Sequence, residues 1–148
     1  MIDERFMRMA LELAAQGAAM GEVPVGCVIT DAEGSVIAGA FNSCENDSDA
    51  TAHAELTAIS SACKNIGDWR LTGCTLYVTL EPCPMCAGAI INARIPTVVF
   101  GAKDALTGSC GSVLNIFGEN YPHKPAIYGG VLAEESAGLL RVFFETLR

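Results

Sequence analysis

The stretch TLYVTLEPCPMCAGAIINA, residues 75–93, decides the fold. The apolar run over residues 74–80 predicts a buried strand. The step Pro82-Cys83-Pro84 then opens a helix that runs to about residue 93, because proline suits the first helical position and biases the residue before it to an extended conformation. A second apolar run over residues 97–101 predicts another strand. Strands that alternate with helices imply a sheet that is covered by helices on both faces.

The rest of the chain continues this alternation, and its 148 residues fit one domain. Thr51 is a suitable N-cap for a helix that follows a polar loop. The elements predicted outside the opening stretch are a helix over 3–20, strands over 23–29 and 35–41, a loop over 42–50, a helix with Leu56, Ile59, Cys63 and Ile66 on one face, a fifth strand over 125–128, and a last helix from about residue 132 that buries Leu139, Leu140, Phe143 and Leu147.

The composition excludes several classes of protein. Hydrophobic residues make up 51% of the chain and charged residues 18%, which excludes intrinsic disorder. No apolar run reaches the roughly 18 residues of a membrane span, and the acidic start shows no secretory signal, so we expect a cytoplasmic protein with reduced cysteines. A net charge of −8 argues against a general nucleic-acid coat but leaves room for a small local contact.

Two short segments carry residues that can do chemistry: Thr51-Ala52-His53-Ala54-Glu55 and Glu81-Pro82-Cys83-Pro84-Met85-Cys86. One histidine and two cysteines form a three-ligand zinc set, His53, Cys83 and Cys86. The two cysteines are three residues apart on an opening helix, so their thiols share a face. Three protein ligands leave a fourth position open, which is typical of a catalytic zinc that lowers the pKa of water to about 7.

Glu55 lies two residues after His53, and on a regular helix the two side chains diverge by about 200°. Both can reach one metal only if it lies beyond the N-terminal end of that helix. We therefore expect two helix N-termini to converge on one zinc, with Glu55 placed to move protons rather than to bind metal. A structural zinc would need a fourth ligand. The candidates for it are Cys63, Cys74, Cys110 and His123, none of which sits in a second paired motif.

At these motifs the chain closely resembles the bacterial tRNA-specific adenosine deaminases, and the likeness covers nearly its full length. His-x-Glu paired with Pro-Cys-x-x-Cys marks the wider superfamily of zinc-dependent nucleobase deaminases. The longer stretch over residues 75–108 points to the tRNA branch. Further matching segments are Gly21-Glu22-Val23-Pro24-Val25-Gly26, Trp69-Arg70-Leu71, Phe100-Gly101-Ala102-Lys103-Asp104 and Phe143-Phe144.

The resemblance implies a fold, an assembly and a reaction. The fold would be α/β, a three-layer α/β/α cytidine-deaminase-like domain with a mixed five-stranded sheet, here one zinc-dependent deaminase domain over residues 1–148. It would work as a homodimer with one Zn²⁺ per subunit and no other protein partner. The reaction would be hydrolysis of adenosine to inosine at the wobble position of an arginine tRNA. Glu55 would take a proton from water, protonate N1 of adenine and help ammonia leave.

Substrate residues follow from the same resemblance. Asn42 matches the family asparagine that hydrogen-bonds the flipped base, although by itself it is equally typical of a turn at a strand end. Val25 and the backbone near Ala54 and Pro82 would line the pocket. A loop base is already poorly stacked, so binding an anticodon loop needs only a few phosphate contacts. The candidates for those contacts are Lys103, His123, Lys124 and Arg148.

Two other functions compete with tRNA editing. A deaminase of a free base such as guanine or cytosine would suit the acidic charge, and guanine deaminases share Pro-Cys-Pro-Met-Cys and similar His-Ala-Glu surroundings. A catalytically silent partner subunit would have no reason to keep Glu55 beside an open metal position. Salt dependence discriminates the first alternative, because only an RNA substrate should lose affinity steeply with salt.

Overall fold

The computed structural model describes residues 2–147. Among them, no helix has the length and apolar character needed to cross a membrane. Five helices, five strands and one 3₁₀ turn follow one another in that part of the chain. They are α1 (Glu4–Ala19), β1 (Gly26–Thr30), β2 (Val36–Phe41), α2 (Cys44–Asp47), α3 (Ala54–Ile66), β3 (Thr75–Leu80), α4 (Pro84–Asn92), β4 (Thr97–Ala102), the 3₁₀ turn (Ile116–Gly118), β5 (Ala126–Tyr128) and α5 (Ala133–Thr146).

The strands form one mixed sheet in the order β2-β1-β3-β4-β5. β1 is antiparallel to β2 and to β3, whereas β4 is parallel to β3 and β5. The stretch that decides the fold supplies β3 and the crossover helix α4, which returns the chain to β4 in the parallel direction. The predicted five-stranded mixed sheet is confirmed, and β3 lies at its centre.

Helices cover both faces of this sheet, which confirms the three-layer arrangement. α3 and α4 lie on one face over a large apolar cluster that includes Ile29, Leu76, Ile90 and Val98. α1 and α5 lie on the other face over a smaller cluster of Met7, Ala10, Val28, Tyr77 and Val99. Successive residues of β1 and β3 contribute to opposite clusters, as the two-residue period of a strand requires.

The start and the buried face of α3 differ from the prediction. α3 begins at Ala54 with His53 as its N-cap, so Thr51 is not the cap and hydrogen-bonds Asp49 instead. The side chains that face the sheet are Ala54, Glu55, Ala58, Ile59 and Ala62. Small residues four apart let the helix lie close to β1 and β2, and this turns Leu56 and Ile66 away from the core.

The predicted burial along α5 is wrong. The buried side chain of this helix is Ser136, whose hydroxyl donates to the Thr79 carbonyl at 2.6 Å. Leu139, Leu140 and Phe143 are half-buried, and Leu147 is exposed. Ser136 is thus the one residue of this helix that is fully buried against the sheet, and the apolar spacing of the helix does not correspond to a fully buried face in the described protomer. The predicted loop over 42–50 also contains the one-turn helix α2.

Candidate active site

The amino ends of α3 and α4 meet at the edge of the sheet where β3 ends. His53 is the N-cap of α3, Cys83 is the N-cap of α4, and Cys86 lies in the first turn of α4. Both N-caps have extended backbones, at Cys83 because Pro84 follows it. The two helix N-termini converge, as the spacing of the motifs predicts.

The three side chains have the separations of a metal site. His53 Nδ1 lies 3.5 Å from Cys83 Sγ and 3.6 Å from Cys86 Sγ, and the three atoms all lie within 4.8 Å of one another. Ligands about 2.0 Å (nitrogen) and about 2.3 Å (sulfur) from a tetrahedral zinc are about 3.5 Å apart. The residues therefore fit one Zn²⁺ per subunit without rearrangement.

The electrostatics of the three groups favour a charged pair. The hydrogen bond from the Cys86 thiol lowers the pKa of Cys83 to about 4, and the His53 ring lowers it further against the opposing effect of burial. The hydrogen bond with Cys83 in turn raises the pKa of His53. The Cys83 thiolate at a helix N-terminus is already in the form that a divalent metal binds, whereas the raised pKa values of His53 and Cys86 mean that metal binding would release a proton from each of them.

Glu55 lies in the first turn of α3 and is 4% exposed. Burial raises the pKa of its carboxyl to about 7 against the opposing effect of its own backbone N–H, and the nearby Cys83 raises it further. A carboxyl with a pKa near neutrality can both accept and return a proton at physiological pH. The side chain reaches the same cavity as His53 and Cys83.

This cavity has a volume of about 300 Å³ and opens at the carboxyl ends of β3 and β4, beside His53 and Cys83. It is lined by Val25, Asn42 and Ala54, three of the four predicted substrate residues. Pro82 is not among its lining residues, although its two neighbours are. The complete lining is Glu22, Val23, Val25, Asn42, Cys44, Glu45, His53, Ala54, Glu55, Leu80, Glu81, Cys83, Asp104 and Thr107.

The amide of Asn42 is held in the wall of the cavity. Its Nδ2 donates to the Val23 carbonyl at 3.4 Å, and its Oδ1 accepts from the Cys44 thiol at 3.1 Å. Its backbone N–H donates to the Val25 carbonyl at 3.0 Å. A side chain fixed in this way can offer an amide to a base without first losing rotamer freedom.

Sequence reasoning missed two buried glutamates in the cavity lining. Glu22 accepts hydrogen bonds from the backbone of Glu45 and Asn46 and from the Asn46 amide. Glu81 accepts them from the backbone of Asp104, Cys110 and Ser112 and from the Ser112 hydroxyl. Burial disfavours the charged form of both carboxyls, but these donors lower the pKa of each. The donors lie more than 20 residues away along the chain, so no short sequence pattern indicates that these glutamates are hydrogen-bonded.

The predicted RNA contacts lie at two different ends of the sheet. Lys103 follows the end of β4 directly and is exposed on the cavity side. The His123 ring donates to the Ile95 carbonyl at 2.6 Å, and Ile95 lies just before β4 begins, at the opposite end of the strand. Lys124 is the next residue along the chain. A six-residue strand is about 20 Å long, so one protomer does not bring His123 and Lys124 together with the cavity. Arg148 lies outside the described residues.

Comparison with known proteins places this arrangement in a family. Residues 1–102 match the family model of the cytidine and deoxycytidylate deaminase zinc-binding region. The chain is 46% identical over 147 residues to the tRNA-specific adenosine deaminase of Bacillus subtilis, covering 99% of this chain and 91% of that protein. It is 48% identical over 147 residues to the tRNA-specific adenosine deaminase of Haemophilus influenzae, covering 99% and 85%.

Solved structures show the same relationship. A structure from a study of A-to-I editing by tRNA:A34 deaminases superposes with a TM-score of 0.89 at 42% identity, over 93% of this chain and 100% of that one. The guanine deaminase of Bacillus subtilis superposes with a TM-score of 0.65 at 44% identity, over 70% of this chain and 66% of that one.

Proposed function

This chain belongs to the cytidine and deoxycytidylate deaminase zinc-binding family, in the branch of the tRNA-specific adenosine deaminases, and on that premise we propose that it hydrolyses adenosine to inosine at the wobble position of an arginine tRNA. The observation that carries the proposal is the 46% identity to such an enzyme over 99% of this chain. It is combined with a cavity that Glu55 lines together with His53 and Cys83 of the metal group. Water and adenosine enter, and inosine and ammonia leave.

His53, Cys83 and Cys86 would hold the zinc, which when bound supplies a Lewis acid that makes water a nucleophile near neutral pH. Glu55 would act on protons. Its carboxylate would accept the proton that water loses and deliver it to N1 of adenine. It would then carry the proton of the new C6 hydroxyl to the amino group, so that the C6 carbonyl forms and the amino group leaves as ammonia. Its pKa of about 7 suits a group that must gain and lose protons within one turnover.

The base would enter the cavity after leaving the anticodon loop. Asn42 would hydrogen-bond the base, while Val25 and Ala54 would pack against it and the Pro82 backbone would border it. Loop bases cost little to extrude because they are already poorly stacked. The acidic chain would therefore need only a few phosphate contacts.

Those contacts would come from Lys103, His123, Lys124 and Arg148. Since His123 and Lys124 lie far from the cavity of their own protomer, their part in binding requires RNA that extends along the sheet or a second subunit. We include a homodimer in the proposal for that reason. Because tRNA anticodons read codons during translation in the cytoplasm, we also expect the enzyme there.

A free base is the second candidate substrate. Its support is the 44% identity to a guanine deaminase, although that likeness covers 70% of this chain and the tRNA-specific relatives match 99% of it. Phosphate contacts make the affinity for RNA fall steeply with salt, whereas the affinity for a neutral base does not depend on phosphate contacts. The two candidates therefore differ in a simple measurement of rate against salt.

The experiment uses zinc-loaded protein and an arginine anticodon stem-loop that carries adenosine at the wobble position. Nucleoside mass spectrometry measures inosine, with free adenosine, guanine and cytosine tested in parallel. We expect inosine in the stem-loop, a KM that rises with salt, and loss of the product in Glu55→Gln. Turnover of a free base with an unchanged stem-loop would contradict the proposal. A stem-loop of another sequence edited equally well would contradict the choice of arginine tRNA.

A further inference from the structure

Glu81 lies between the end of β3 and the zinc-ligand segment, and its carboxylate is enclosed by hydrogen-bond donors. The side chain is 2% exposed. Oε1 accepts from the Asp104 N–H at 3.0 Å and from the Ser112 hydroxyl. Oε2 accepts from the Cys110 N–H at 2.9 Å and from the Ser112 N–H at 3.1 Å. All four donors belong to one segment, residues 104–112, which we call the wall segment.

The wall segment is irregular, so its shape depends on these bonds. Apart from an isolated bridge between Cys110 and Asn115, it belongs to no helix or strand. Gly108, in the middle of the segment, packs directly against the Glu81 carboxylate. A Cβ at this position would overlap the Glu81 side chain and lie 2.5 Å from the Asp104 carbonyl oxygen. The Ser109 N–H also donates to the Pro82 carbonyl at 2.9 Å. The segment is therefore tied to the two residues that precede Cys83.

The wall segment forms one side of the cavity. Asp104 and Thr107 both line it. The Asp104 carboxylate accepts from the N–H groups of Leu106 and Thr107 and from the Thr107 hydroxyl at 2.8 Å. These bonds shape the turn that leaves Leu106 87% exposed. If the anchor at Glu81 were lost, the turn could keep its own bonds, but the four bonds to the carboxylate would be gone and the Ser109–Pro82 bond would be left to hold the wall segment against the zinc-ligand segment.

We infer that Glu81 is a positioning residue for deamination: its buried carboxylate holds the wall segment against the Glu81–Cys83 step and so places Asp104 and Thr107 where the substrate enters. The inference deepens the proposed function and rests on it for the choice of substrate. Glu81 is not itself a catalytic residue, because each of its oxygens already accepts two hydrogen bonds. It acts on the substrate through the segment that it holds.

The test compares Glu81→Gln with Glu119→Gln, a control on an exposed side chain farther along the same connection. Glutamine keeps the shape of the side chain but replaces one acceptor oxygen with an NH₂ group, which faces N–H donors instead of accepting from them. Hydrogen exchange of the wall segment, zinc content, and kcat and KM on the wobble stem-loop are measured for both variants and the wild type.

We expect Glu81→Gln to bind zinc normally and to lose exchange protection over residues 104–112. KM should rise between about tenfold and hundredfold with a smaller change in kcat, because substrate-positioning groups are displaced while Glu55 is not. Glu119→Gln should match the wild type. Wild-type protection and KM in Glu81→Gln would overturn the inference. Loss of zinc with an unchanged wall segment would overturn it too, because Glu81 would then act through Cys83.

A second variant keeps the test decisive if Glu81→Gln does not fold. Gly108→Ala places a methyl group against the Glu81 carboxylate from the opposite side and should give the same loss of protection and the same rise in KM. Unchanged exchange and KM in this variant would overturn the inference. Exchange of the wall segment needs no substrate, so it decides the anchoring role even if the wild type leaves the stem-loop unedited, an outcome that would contradict only the proposed function.

Discussion

Glu55 at the start of α3 and Glu81 directly after β3 both have almost no exposure to solvent, yet their carboxyls behave in opposite ways. Burial raises the pKa of Glu55 to about 7, whereas four donors lower the pKa of Glu81 against the opposing effect of its own burial. The partners of the Glu55 carboxyl are its own backbone N–H and the Cys86 thiol. The Ser112 hydroxyl, and after it three backbone N–H groups, therefore favour the ionised form of Glu81, although both glutamates are 4% exposed or less.

The comparison separates two tasks within one cavity. A carboxyl with few donors can exchange protons, because neither of its charge states is locked in place. A carboxylate with every lone pair engaged cannot do so without breaking bonds, but it can hold a segment of chain. The two regions also differ in secondary structure: Glu55 stands on a 13-residue helix, whereas Glu81 supports a segment without regular structure.

The largest expected effect is that of Glu55→Gln on turnover. Glutamine cannot accept and return a proton, so kcat on the wobble stem-loop should fall by about 10²–10⁴-fold, the contribution of general acid–base catalysis. Hydrogen exchange of the wall segment should not change, which is the reverse of the pattern expected for Glu81→Gln. Glu134→Gln, an exposed residue in the first turn of α5, is the matched control. If Glu55→Gln raised KM and left kcat intact, the division of tasks would be wrong.

A second expected effect concerns the metal. Cys86→Ser removes one of the three donors, and because changes next to zinc ligands alone cost about 10–100-fold in affinity, we expect a loss of at least about a hundredfold. Zinc content after dialysis against a graded chelator measures it. Cys63→Ser is the control, since Cys63 lies in α3 outside the metal group. The wall segment should stay protected in both. Its opening in Cys86→Ser alone would show that zinc, rather than Glu81, holds it.

The sequence predicted which side chains meet at the site because that information is local. His53, Glu55, Cys83 and Cys86 lie in two segments whose internal spacing predicts a metal set with a glutamate beside it. The sheet was predictable for a similar reason, because β3, α4 and β4 follow one another with clear apolar runs. These features depend on residues that are near neighbours along the chain.

What the sequence could not reveal depends on distant partners. Glu81 stands in the most informative stretch of the chain, but its donors are backbone groups 23 to 31 residues away. The predicted buried face of α3 was right for Ile59 and Cys63 but wrong for Leu56 and Ile66, because close approach to the sheet favours the alanines of the helix at those turns. The predicted burial along α5 was wrong because the apolar spacing of the helix does not indicate that Ser136 is the residue buried against β3.

The smallest expected effect tests whether Glu22 belongs with Glu81. Its donors, the Asn46 backbone and amide and the Glu45 backbone, lower its pKa from 4.5 despite burial. A pKa lowered in the folded state adds stability that is complete above about pH 4.5 and is lost as pH falls through the folded value. Glu22→Gln should therefore lower the free energy of unfolding at pH 7 by on the order of 1–2 kcal/mol. The difference from wild type should shrink below about pH 4.5.

Urea unfolding with chelator present, at pH 7 and again at pH 3.5, measures this difference without a contribution from metal release. Glu33→Gln, an exposed residue in the β1–β2 turn, should stay within about 0.5 kcal/mol of the wild type at both pH values. A Glu22→Gln difference that grew on acidification would mean that the Glu22 carboxyl is protonated in the folded protein. Glu22 would then belong with Glu55, and donors from the chain would not be what distinguishes the two kinds of glutamate.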